Sequence, residues 1–166
     1  MPAYTCPICK LHEGDTEKDY EIARTRLWVL RHHPAPAPLP GWLLLDSYRH
    51  IPGPLGFDDR EAGEWGSAVR LASQLVQRLT RCERVYAIAF GEGAQHLHLH
   101  LVPRHIDNPS TAAWSLADFY RSVEGGRHPA ADPALVKQLI AAGREDIRRC
   151  HWEQPWAKDI TVGDQC

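Results

Sequence analysis

No apolar run in this chain approaches the ~20 residues needed to cross a bilayer, so an ordinary membrane-spanning helix is excluded. Charge of one sign is also lacking: the formal net charge is −2, too small for broad attraction to nucleic acid or an anionic membrane. A small basic cluster near the end, Arg144, Arg148 and Arg149, reads as a solvated helix face. The opening MPAYTCPICK lacks the basic-then-apolar order of a secretory signal, and the chain has no internal repeat. Cysteine is sparse and odd in number, five in all, with Cys82, Cys150 and Cys166 scattered. That is not a disulfide framework. The expectation is a soluble, cytoplasmic protein whose 166 residues suffice for one domain with a real core but not for two.

Within those bounds the pattern reads as α+β. Residues 26–33, RLWVLRHH, form a strand, and PAPAPLPG is a proline-rich loop. WLLLDSYRHI follows, its first half continuously apolar as in a strand buried on both faces. Asp58 with Glu61 makes a capping-box start, after which Trp65, Val69, Ala72, Val76 and Leu79 recur along one helical face. RVYAIAF (84–90) is a further strand, and HLHLHLV (96–102) alternates strictly. SLADFYRSVE is a short helix opened by Ser115. Asp132 and Pro133 start another, which carries Leu135, Val136, Leu139, Ile140 and Ile147. Strands and one long helix come first and helices last, which implies mainly antiparallel pairing.

The stretch GEGAQHLHLHLVPRH places His96, His98 and His100 at every second position. On a strand these three project from one face, and Leu97, Leu99 and Leu101 from the other. The leucines then belong to the core and the imidazoles to a second compartment. Neighbouring histidines would lie roughly 6–7 Å apart and the outer two about 13 Å apart. That is awkward for a single zinc shell with bonds of ~2.1 Å, and better suited to several tasks. Neutral imidazole is a nucleophile and can carry a proton. Its attack on phosphorus gives a phosphoramidate that water can split, while a second imidazole holds charge or donates a proton to the leaving group. Cys6 and Cys9 have the spacing of a metal pair or of a redox pair, and no strand–helix unit follows directly to favour redox.

HLHLHLV matches all seven positions of H-φ-H-φ-H-φ-φ, with φ apolar, and Pro103-Arg104 follows. In this the chain resembles the histidine-triad (HIT) superfamily. CPICKLHEG resembles that family's zinc-binding opening, and PLPGWLLLDSYRHI the strand before its helix. The likeness covers residues 1–105, a HIT-like core domain, and leaves 106–166 as a helical C-terminal extension packed on the same domain. The resemblance implies an antiparallel β-sheet of five to seven strands with a long helix, frequently assembled as a homodimer. It also implies transfer or hydrolysis of nucleotidyl groups without a redox cofactor. His98 would attack the α-phosphate and His100 would contact phosphate and assist the leaving group, with His96 completing the catalytic row. A structural zinc would be held by Cys6, Cys9, His50 and His96, so that His96 anchors the metal while His98 stays free to react.

Many members of that family carry a histidine where this chain has Trp42, and a ribose-binding carboxylate where it has RHHP. Ribose contact is therefore expected from His32 or His33, and phosphate contact from Gln95 unless it is an exposed turn residue. Trp42 stacks on a base or belongs to the core. Arg104 is expected to pair with a carboxylate, and His12, His105, His128 and His151 to be solvated. Trp152 and Trp156 either pin the tail or cover a groove. Three functions fit. One is a nucleotide hydrolase acting on dinucleoside polyphosphates or nucleoside phosphoramidates, and another a nucleotidyltransferase or phosphorylase using the same nucleophile. The third is a nucleotide-binding module without turnover. The partner expected is a small-molecule nucleotide, with no nucleic acid and no membrane.

Overall fold

The computed structural model describes residues 5–14 and 19–149. In chain order they form α1 (Pro7–Glu13), β1 (Glu21–Arg24), β2 (Trp28–His32), β3 (Leu43–Ser47), α2 (Asp59–Thr80), β4 (Arg84–Ile88), β5 (His98–Arg104), α3 (Leu116–Glu124) and α4 (Pro133–Arg149). The strands make one sheet in the order β1-β2-β3-β5-β4, and every pairing is antiparallel. This is the α+β arrangement expected from the order of elements.

The two faces of the sheet are covered differently. On one, Trp28, Leu30, Leu43, Leu45, Leu99 and Leu101 pack against Ala72, Leu75 and Val76 of α2 and against Val136 and Ile140 of α4. On the other, Trp42 and Val102 lie under Leu116, Phe119 and Val123 of α3, while Cys6 and Ile8 at α1 meet Ala94. Because both faces are covered, every residue of β2 and β3 is buried. That burial is why Trp28–Leu30 and Leu43–Leu45 run apolar rather than alternate.

The long helix starts where its cap predicts. Asp58 accepts from the Arg60 and Glu61 backbone N–H groups at 3.0 and 2.9 Å, and the Glu61 carboxylate accepts the Asp58 N–H at 2.9 Å. Such a cap stabilises a helix by about 1 kcal/mol. Glu61 is fully buried and also takes Arg49 Nε at 2.9 Å. The segment that carries His50 is thereby tied to the start of α2.

Some features differ from the sequence reading. Neither α1 nor the four-residue β1 was anticipated, both being short and weakly patterned. The triad strand begins at His98 rather than His96. Leu97 gives its N–H to the Ile51 carbonyl (2.7 Å) and its carbonyl to the Ser47 N–H (3.0 Å), so the ladder with β3 opens only at the pair Asp46 and His98. Arg144 is not a solvated side chain. Its Nε donates to the Glu21 carbonyl at 2.8 Å and Nη2 to that of Asp19 at 3.1 Å, pinning α4 to the start of β1. Arg148 and Arg149 are exposed and pair with Glu145 and Asp146 one turn back. Cys150, His151, Trp152, Trp156 and Cys166 lie outside the described residues. Among the described residues no helix is long and apolar enough to cross a membrane.

Candidate active site

Strand register assembles the site. Arg31 on β2 pairs with Leu44 on β3, and Leu44 pairs with His100 on β5, while Asp46 stands opposite His98. Residues directly opposite in an antiparallel pair share a face, so these side chains lie together on the face that α1 and α3 cover. Between those two helices is a cavity of about 340 Å³ whose lining includes Arg31, His33, Leu44, His98, His100 and Tyr120. That volume is in the range of small-molecule sites. Ile8 and Leu11 of α1, Glu124 of α3 and the proline loop complete its walls.

Hydrogen bonds fix which nitrogen of each ring is free. His98 Nδ1 lies 2.6 Å from the His96 carbonyl. A carbonyl only accepts, so Nδ1 carries a proton, and in the neutral ring Nε2 holds the lone pair. His100 is the reverse: its Nδ1 accepts the Trp42 indole N–H at 3.0 Å, which leaves the proton on Nε2. The rings of His98 and His100 stand 5.3 Å apart. Adjacent imidazoles thus offer one acceptor and one donor. Burial, reinforced by the neighbouring His98, His33 and Arg31, lowers His100 to about 3, and it stays neutral at physiological pH.

Of the candidate substrate contacts, one lies at the cavity. His33 donates from Nδ1 to the Pro34 carbonyl at 2.8 Å and faces the Tyr120 hydroxyl with Nε2 at 3.4 Å. Burial first, then nearby positive groups, lower it to about 4. His32 points the other way and is a structural residue. It is fully buried, donates from Nδ1 to the His33 carbonyl at 2.8 Å and accepts the Gly41 N–H at 2.9 Å. Gly41 has a left-handed φ of +78°, and a Cβ there would collide with the Thr80 methyl. Trp42 is also fully buried, with its indole spent on His100, so it presents no face to a base. Gln95 is exposed and does not line the cavity, although Gly93 and Ala94 do. Among the described residues Arg104 meets no carboxylate: it donates to the Asn108 carbonyl at 3.0 Å, to Thr111 Oγ1 at 2.8 Å and to the His105 carbonyl.

Besides Tyr120 and Glu124 of the cavity wall, a bonded group of three polar residues at the site was not singled out for it by sequence reasoning. Asp46 is fully buried and receives Arg31 Nε at 2.6 Å and His12 Nε2 at 3.0 Å. Burial alone would raise its pKa, but Arg31 and His12 hold it down at about 2. His12, expected to be solvated, has a side chain only 8% exposed. Arg31 gives Nε and Nη2 to Asp46 and borders the cavity. A charge in the middle of the apolar strand WVLRHH was the available signal. Buried arginine needs a partner, and here that partner lies on the next strand.

Beside the cavity, one ligand atom each from Cys6, Cys9, His50 and His96 lies within 4.8 Å of the others. His96 Nδ1 is 3.5 Å from Cys6 Sγ and 3.4 Å from Cys9 Sγ, and His50 Nδ1 is 3.4 Å from Cys9 Sγ. Tetrahedral zinc with sulfur at ~2.3 Å and nitrogen at ~2.1 Å sets an S···N edge of about 3.6 Å, so the donor set fits that ion. His96 Nε2 donates to the Ser47 carbonyl at 2.8 Å, which leaves Nδ1 as the ligand atom. Such a second bond is the usual way a ligand ring is oriented. Burial first, then the adjacent Cys6, push the Cys9 thiol up to about 11, a proton that zinc would displace on binding.

No family model matches the chain, and no curated protein matches it in sequence. Solved structures do. A zinc-bound histidine triad family protein from Mycobacterium smegmatis is 13% identical at a TM-score of 0.62, covering 89% of this chain and 99% of that one. A histidine triad protein from Bradyrhizobium japonicum is 24% identical at a TM-score of 0.58, covering 81% and 96%. Diadenosine triphosphate hydrolase from Plasmodium falciparum is 16% identical at a TM-score of 0.55, covering 80% and 78%. The fold is therefore that of the histidine-triad proteins.

Proposed function

We propose that this chain, built on the histidine-triad fold, is a nucleotide hydrolase. It acts on the α-phosphate of a nucleotidyl compound and passes through a covalent nucleotidyl-histidine on His98. The observation that carries this reading is the pairing of ring nitrogens: a lone pair on His98 Nε2 beside a proton on His100 Nε2, both residues lining one cavity. The likeness in fold to a diadenosine triphosphate hydrolase supports it.

In the first step the His98 Nε2 lone pair forms a bond to phosphorus and the leaving group departs with the electron pair of its own bond. The imidazole becomes positively charged, and the His96 carbonyl at 2.6 Å from Nδ1 stabilises that charge. His100 donates from Nε2 to a phosphoryl oxygen, and Arg31 Nη1, which Asp46 does not use, serves a second one. These are fixed donors aimed at developing charge, the kind of stabilisation worth most where water is excluded. Water then attacks phosphorus, the N–P bond breaks back to Nε2, and a proton passes to solvent with the nucleoside monophosphate. His33 takes the ribose contact.

In this reading residues 1–105 carry the chemistry and 106–166 form an extension that lends Tyr120 and Glu124 to the cavity wall. Cys6, Cys9, His50 and His96 hold a structural zinc, which supplies rigidity to the strand presenting His98 and takes no part in bond breaking. The protein works in the cytoplasm as a homodimer.

The test is incubation with a dinucleoside polyphosphate, with and without inorganic phosphate, following released nucleotide. Monophosphate in plain buffer is expected, together with a trapped adduct of nucleotidyl mass. In His98→Ala, turnover should fall by at least ~10⁴-fold, as when an enzymatic nucleophile is removed. Diphosphate formed only with added phosphate would instead mean a transferase, and binding without product a module.

A further inference from the structure

The bond from Trp42 to His100 restricts what the site can cleave. An indole N–H is a donor and never an acceptor. Trp42 is fully buried in the cluster beneath α3, so its ring cannot turn away without disturbing that packing. Its Nε1 sits 3.0 Å from His100 Nδ1. A proton on Nδ1 would face the indole proton directly and break the bond inside a buried site. His100 is held as the neutral tautomer with its single proton on Nε2.

The groups facing His100 act in the same direction or are already engaged. From β2 comes Arg31, from the residue just after it His33, and from its own strand His98, all of which disfavour a second positive charge. Asp46 on β3 favours one, but it is already paired with Arg31 and His12. The Tyr120 ring of α3 stands nearly perpendicular to His100 with centroids 5.8 Å apart, and Glu124, further along α3, is exposed.

A neutral imidazole of this tautomer donates a hydrogen bond but cannot hand over its only proton without becoming an anion. We infer that Trp42 makes this cavity selective for phosphoanhydrides, such as dinucleoside polyphosphates, over phosphoramidates of alkyl amines. The inference rests on the hydrolase reading above. In a phosphoanhydride the P–O bond breaks and the electron pair leaves on a phosphate oxygen, stable without protonation. In a phosphoramidate the P–N bond breaks, and the departing nitrogen needs a proton that His100 does not have to give. Trp42 is thus a positioning residue, acting on substrate choice through His100.

The experiment compares a diadenosine polyphosphate with an adenosine 5′-phosphoramidate bearing an alkylamine, using zinc-loaded full-length protein. The expected kcat/KM ratio favours the anhydride by at least ~100-fold, the low end of what a general acid contributes. Trp42→Phe removes the N–H and keeps an aromatic ring. It should narrow the ratio by roughly tenfold or more, with an acid limb appearing in the phosphoramidate pH profile. A merely structural role would lower both rates by the same factor, and that result overturns the inference. Nitrogen NMR of the wild-type protein reads the tautomer without any turnover: His100 Nδ1 should remain unprotonated from pH 5 to pH 8. A proton on Nδ1 in that range, or equal rates on both compounds, overturns the inference while leaving the hydrolase reading intact. Failure to turn over either compound overturns both.

Discussion

Strand β5 serves two neighbours that ask opposite things of it. On one side Leu99 and Leu101 join a core with α2 and α4 in which contacts are numerous and undirected. On the other, His98 and His100 have specific nitrogens committed, one to the His96 carbonyl and one to the Trp42 indole. Apolar packing depends on volume and tolerates similar shapes, whereas a tautomer depends on one partner. The alternation of an extended backbone lets packing and chemistry be set independently, residue by residue. Just ahead of the strand His96 has both nitrogens directed, Nε2 to Ser47 and Nδ1 to the thiols.

That separation can be broken most severely at the quartet of Cys6, Cys9, His50 and His96. Cys6→Ser should abolish zinc retention and lower the melting temperature by about 10 °C or more, since each kcal/mol is worth ~2–4 °C in a domain of this size. Because α1 supplies Ile8 and Leu11 to the cavity wall, KM should rise more than kcat falls. Metal analysis, a thermal melt and steady-state kinetics check this. An unchanged KM would separate the metal from the cavity.

Leu99→Ala sharpens the comparison from the packing side. A buried leucine truncated in a well-packed core costs about 2–5 kcal/mol, which chemical denaturation measures. At a temperature where the variant remains folded, kcat should stay within about twofold. A much larger loss would mean that the two faces are not independent.

The last effect concerns acid. His33 and His100 are lowered by burial to about 4 and about 3, whereas a histidine in the unfolded chain titrates near ~6.5. Below that value the unfolded chain gains protons that the folded chain refuses. Stability is therefore full above about pH 6.5 and declines as pH falls toward each folded value. Each group contributes about 1.4 kcal/mol per pH unit over its window. Urea unfolding of zinc-loaded protein between pH 7 and pH 5 should show this decline, less steep in His33→Phe. Equal slopes in the two proteins would show that His33 is not kept neutral by the fold.

Local features of the molecule were legible because they are written in adjacent residues. The capping pair Asp58 and Glu61 marked the start of α2, and the alternation of residues 96–102 assigned leucines to the core and histidines to the other side. The quartet Cys6, Cys9, His50 and His96 came from spacing joined to a resemblance, and its ligand atoms do converge. Non-local features were not legible. That Arg31 faces His100 across Leu44 depends on the register of three strands, which no window of sequence contains. The burial of His12 depends on Asp46, 34 residues away. The choice between His32 and His33 was within reach. Alternation along RLWVLRHH sends Arg31 and His33 to one side and His32 to the other, as the cavity lining bears out.

The proline loop between β2 and β3 borders the cavity through Pro34, Ala35, Pro36 and Pro38, yet the two strands it joins are locked by five consecutive pairs. Its length and shape can consequently drift among descendants of this sequence without sliding Arg31, Leu44 or His100 out of alignment. A lineage could broaden or narrow its diet of ligands by editing this one segment, leaving the nitrogens of His98 and His100 where they are.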